Sequence, residues 1–232
     1  MSRLFNLKNN LGAIYAMVML GRRPEQVKYV FMIGDRQDNL TEQARAAGQI
    51  GDPFADAELD AMWAQRYHPP RYDLHQLAQL PDHTLGGAYA RFMLARGLKP
   101  DFYEAVTPRH KMHYLRLRLR QTHDIWHVLS GYDTGPFGEV GLQAFYFAQV
   151  TNGQSALIFV GAVLRCLFRG RFDELERYIA DFCEGYRNGR EARRLLAVRW
   201  ESHWHDAVET LRQRYGIAPA QPGGAPLRMV QP

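Results

Sequence analysis

Cysteine is nearly missing from this chain: Cys166 and Cys183 are the only two in 232 residues, and they make no CxxC pair. There is no basis for a disulfide framework, and a reducing cytosolic setting with both thiols buried as small apolar side chains is expected. Long apolar runs are missing too, since a membrane span needs about 20 such residues. The two best candidates are LGAIYAMVMLG at 11–21 and ALIFVGAVLRCLF at 156–168, the second broken by Arg165. The first follows Arg3 and Lys8, but Arg22-Arg23-Pro24 stand where a small-residue cleavage site belongs. It reads as a buried or interfacial amphipathic helix, not a signal peptide. Acidic residues are in slight deficit, 24 Asp+Glu against 29 Lys+Arg, for a net charge of +5. That excess suits an anionic membrane surface or an acidic ligand and is too weak to argue for nucleic acid.

Strand signals are also scarce, whereas helical spacing runs through most of the chain. With 46% hydrophobic and 12% aromatic residues, the chain can bury a core. Helices are predicted after Pro24, over 41–48 (capped by Thr41 and closed by Gly48), and within 53–67, where His68-Pro69-Pro70 enforce a break. Further helices are predicted over 85–97, 109–130, 136–150, 153–168, 172–187 and 191–214. The run LRLRLR at 115–120 alternates with period two and is assigned to a helix only because it continues into a histidine pair. The expectation is an all-α, single-domain bundle over 1–217, with 218–232 a disordered Pro/Gly-rich tail.

What the sequence does contain is His123-Asp124-Ile125-Trp126-His127, followed after eleven residues by Glu139. On a helix each residue advances ~100°, so the two histidines fall ~40° apart and one turn along, with Asp124 on the same broad face. Gly131 offers a helix stop, Tyr132-Asp133-Thr134-Gly135 a polar turn, and Pro136 a favoured first helical position. If the resulting αα-hairpin packs antiparallel, Glu139 arrives level with the histidines. Ile125, Trp126, Val128 and Leu129 imply burial, and buried carboxylates and imidazoles without partners cost several kcal/mol each, which a cation cancels. His123, Asp124, His127 and Glu139 are therefore candidate ligands of a divalent metal.

Other signatures fit less well. A zincin carries Glu where Asp124 stands, and a di-iron bundle needs two Glu-x-x-His motifs. A phosphohydrolase of the His-Asp type would draw on His110 and His113 as well. His203 and His205 read as surface residues. Arg116, Arg118 and Arg120 read as a solvated face, with anion holding as the functional alternative.

The His-Asp-x-x-His…Glu motif resembles the metal signature of the coenzyme Q biosynthesis protein four family. LPDHTLGGAYARFM at 80–93 is similar to that family's Leu-Pro-x-x-Ser/Thr-Leu-Gly-x-x-Tyr segment, and Gly138-Glu139 to its Gly-Glu step. Arg199-Trp200-Glu201, Leu211-Arg212 and Gly216-Ile217 resemble its C-terminal region, so the likeness spans roughly 20–217; the hairpin tip at Tyr132-Asp133 and Pro136 departs from it.

The resemblance implies an all-α fold and a place in ubiquinone biosynthesis. It implies peripheral association with the cytoplasmic side of a bacterial inner membrane, and His123, Asp124, His127 and Glu139 as catalytic metal ligands. The implied reaction removes the C1 carboxyl of a polyprenylated hydroxybenzoate and installs a hydroxyl. The alternative is a non-catalytic, isoprenoid-lipid-binding scaffold for the other ubiquinone biosynthesis proteins; a homodimer is compatible with either. Zinc is the expected ion, with iron, manganese and cobalt as alternatives; zinc has no redox chemistry, whereas two His and one carboxylate with open positions suit iron(II).

Overall fold

A computed structural model describes residues 41–100 and 107–221, together with Tyr15 and Met19. Apart from Tyr15 and Met19, the predicted helix at 11–21 lies outside the described residues, as do the one after Pro24 and the tail beyond residue 221. Within them the fold is all-α, as expected, with no strand and a single β-bridge between Thr84 and Ala207. The helices are α1 (Ala57–Ala64), α2 (Leu74–Leu77), α3 (Leu85–Ala95), α4 (Lys111–Ser130), α5 (Pro136–Gln149), α6 (Gly153–Arg169), α7 (Phe172–Glu191) and α8 (Val208–Tyr215). Short 3-10 turns cover Pro53–Ala55 and Trp200–Ser202. No helix among the described residues is long and apolar enough to cross a membrane.

The backbone divides into two compact units, one comprising 52–133 with 191–220 and the other including 134–190. In the first, α3 and α8 both pack on α4, and α2 packs on α3. Its buried side chains include Tyr89, Met93, Tyr114, Trp126, Trp200 and Leu211. The start of α3 explains the Leu-Pro-x-x-Thr-Leu-Gly-Gly segment. Thr84 caps the helix by accepting from Gly87 N–H, while its hydroxyl donates to the Pro81 carbonyl at 2.7 Å. The N–H groups of Leu85 and Gly86 donate to the carbonyls of Asp206 and Trp204 at 2.8 and 2.9 Å. A Cβ on Gly87 would strike the Pro81 carbonyl, so only glycine permits the approach.

In the second unit α5 packs on α6. Val140, Cys166 and Tyr178 form its core, with Phe159 stacked on Phe182 at 4.1 Å. Gly185 lies so close to Gly141 that a Cβ would collide with the Gly141 carbonyl, which fixes where α7 crosses α5.

Four local expectations need correction. Thr41 lies inside the helical stretch 41–46 instead of capping it; it is buried, and its hydroxyl accepts from Gly153 N–H at 3.4 Å. Cys166 is buried as expected, but Cys183 is exposed. Helix 53–67 resolves into the 3-10 turn and α1, restarted by Asp56, whose carboxylate accepts from the N–H groups of Glu58 and Leu59. The continuous helix over 191–214 does not form. Leu195, Leu196, Ala197 and Val198 are all buried, and four consecutive buried residues cannot lie on one helical stripe. The chain instead runs irregularly from α7 to the turn at Trp200–Ser202 and regains a helix only at Val208.

Candidate metal centre

α4 carries the histidines because its alternating LRLRLR start is a helix after all, as the pairing required. His110 caps it, accepting from His113 N–H at 3.4 Å; the pair thus belongs to the opposite end of α4 from His123 and His127, about three turns away. At the far end Gly131 adopts φ 77° and donates its N–H to the His127 carbonyl at 2.8 Å. That left-handed residue turns the chain so that the Tyr132 carbonyl returns to His127 Nδ1 at 2.8 Å. A carbonyl only accepts, so Nδ1 carries the hydrogen and Nε2 the lone pair. A backbone carbonyl holding one ring nitrogen so that the other points outward as a base is the usual support of a metal-binding imidazole.

The rest of the surroundings orient the same ring. His123 meets His127 edge-on, with centroids 4.8 Å apart and planes at 84°. Phe92 of α3 stacks on His127 at 5.6 Å and 25°, and the Arg96 guanidinium lies 4.0 Å from the Phe92 centroid. His127 is 2% exposed; His123, Asp124 and Glu139 are half-buried. Glu139 stands in the first turn of α5, which Pro136 opens as expected. His123 and His127 lie in the unit 52–133 with 191–220 and Glu139 in the other, and the three form a candidate ligand set among the described residues. Asp124 bears on Tyr89: burial pushes that phenol far up, and the Tyr72 phenol and the Asp124 charge add to the effect. The Tyr89 hydroxyl pairs with that of Tyr72 at 3.0 Å. The donor set of imidazole nitrogens and carboxylate oxygens fits a borderline divalent ion.

Arg118 corrects the expectation of a solvated arginine face. It is fully buried, ion-paired with Glu201 at 3.3 Å, and donates to the Val198 carbonyl at 3.0 Å and to Gln121 at 3.1 Å. Tyr67 donates its hydroxyl to the same carboxylate at 3.2 Å. Phe92, Tyr132, Arg118 and Glu201 are the supporting residues that sequence reasoning did not assign. Glu201 and Phe92 carried a signal only as members of Arg199-Trp200-Glu201 and of the segment 80–93, and Arg118 only as one of an arginine cluster. His203, by contrast, is half-buried and paired with Asp206 at 2.7 Å, while His205 is exposed as expected.

Residues 65–221 match the family profile described as coenzyme Q (ubiquinone) biosynthesis protein Coq4. The chain belongs to this family. It is 30% identical over 155 residues to the mitochondrial ubiquinone biosynthesis protein COQ4 homolog of Drosophila sechellia, covering 66% of this chain and 56% of that one. The Anopheles gambiae homolog is 28% identical over 148 residues, covering 62% and 51%. The chain thus spans about 56% of the first of these relatives. A crystal structure from Nostoc punctiforme, named for ubiquinone biosynthesis, is similar at a TM-score of 0.71 and 31% identity, covering 90% of this chain and 98% of that one. The described residues of this Coq4-family chain are all-α.

Proposed function

We propose that His123, Asp124, His127 and Glu139 hold a divalent ion and that this Coq4-family protein uses it to convert C1 of a polyprenylated hydroxybenzoate during ubiquinone biosynthesis. The carrying observation is the His127 ring, whose Nδ1–H is committed to the Tyr132 carbonyl and whose Nε2 is thereby left as the basic nitrogen beside His123. When bound, the ion supplies a Lewis acid for the substrate carboxylate or phenolate and, if it is iron(II), a redox centre for oxygen. The protein's own part is positioning. Phe92 and the Tyr132 carbonyl fix the His127 ring in two directions. His123 and Glu139 are half-buried, which favours their engagement with a cation over hydration. In the net reaction carbon dioxide leaves C1 and one oxygen atom of dioxygen enters as the hydroxyl. A two-electron donor reduces the second oxygen atom to water.

The scaffold reading is favoured by a different observation. Val160, Leu167, Phe168 and Phe172, on α6 and at the start of α7, are 40, 48, 81 and 63% exposed, an apolar surface suited to a lipid or a partner protein. Glu139→Gln separates the two. Under the enzyme reading the variant keeps its helical signal and partner binding while C1 conversion by extracts supplied with the aromatic acid is lost. Retained conversion would favour the scaffold.

A further inference from the structure

A surface cavity of about 650 Å³ in the unit 52–133 with 191–220 is lined by four arginines: Arg193, Arg194, Arg199 and Arg214. None of them belongs to the metal motif. Their convergence follows from the failure of the helix over 191–214. Leu195–Val198 are buried, which pins the irregular segment by its apolar residues and leaves Arg193, Arg194 and Arg199 exposed on either side. The Arg193 N–H donates to the Tyr215 carbonyl at 2.9 Å, tying this segment to the last turn of α8, which contributes Arg214. Arg199 donates to Gln65 at 2.5 Å and lies 4.5 Å from the Tyr67 centroid, while Arg214 is 3.7 Å from Asp206.

The opposing charge is smaller. Asp56 and Glu58 are the carboxylates of the lining, and Asp56 is engaged in capping α1. Four guanidiniums against two carboxylates leave the cavity cationic, and its donors are planar forks suited to bidentate contact with tetrahedral oxyanions. We propose that this cavity is a binding site for a phosphate-bearing anion, separate from the metal centre. The phosphate belongs either to a free small molecule or to a lipid headgroup, and both offer the same oxygens to the arginines.

The test titrates the full chain with pyrophosphate by calorimetry and, separately, co-sediments it with phosphatidylcholine vesicles with and without phosphatidic acid. Saturable pyrophosphate binding identifies a free anion. Sedimentation only with phosphatidic acid identifies a headgroup. In either case the double variant Arg193→Gln/Arg194→Gln is expected to weaken binding by about tenfold or more, with circular dichroism unchanged. Arg214→Gln, exposed at the end of α8, gives the same direction of change should the double variant misfold. Absence of saturable binding to both probes, or binding unaltered in folded variants, would overturn the proposal.

Discussion

Arg118 anchors α4 from inside the protein. Its guanidinium is fully buried and faces Glu201, the Val198 carbonyl and Gln121, so removing it strands a buried carboxylate. Breaking such a pair from one side typically costs about 3–5 kcal/mol, whereas replacing both partners with apolar residues is far milder. Arg118→Met is therefore expected to lower unfolding free energy by roughly that amount, and Arg118→Met/Glu201→Leu to recover most of it in urea denaturation. Tyr67 gives the same cluster a pH signature. Burial first, and the Glu201 carboxylate second, push its phenol up to about 12 from 10.0. Because the folded value is the higher, its contribution is whole below about pH 10 and is lost as pH rises through about 12. Wild-type stability should fall across that window more steeply than that of Tyr67→Phe; identical profiles would refute the assignment.

At the scale of elements, the turn after α4 connects backbone to chemistry. Gly131 at φ 77° sends the Tyr132 carbonyl back to His127, and an alanine has space there but not the backbone conformation. Gly131→Ala is expected to cost about 1 kcal/mol and to weaken metal binding as well, since it disturbs the hydrogen bond that sets the His127 tautomer. Equal loss of stability with unchanged metal affinity would separate the turn from the site. Gly185→Leu tests the α5–α7 crossing, where a side chain would meet the Gly141 carbonyl, and a clear loss of thermal stability is expected. These elements also show what the sequence could and could not tell. Pro136, Gly131 and the histidine spacing mark the ends of α4 and α5 because caps and stops act locally. The break within 191–214 was hidden because it arises from burial of Leu195–Val198 and from the Arg118–Glu201 pair, whose members lie 83 residues apart. For the same reason Arg118 looked like its solvated neighbours, and Phe92 gave no sign that it stacks on a histidine.

For the whole molecule, metal binding and stability are expected to be coupled. A ligand that binds only the native state stabilises it by about 2.7 kcal/mol at one hundred times its dissociation constant. Chelation should therefore lower the melting temperature of the wild type, and His123→Ala or Glu139→Gln should remove most of that chelator response. Elemental analysis of protein purified without chelators, comparing the wild type with His127→Ala, tests metal binding directly. About one equivalent of a divalent transition ion in the wild type, absent from a folded His127→Ala protein, is the predicted result. Equal metal content in the two, or none in a wild type supplied with zinc and iron, would contradict it.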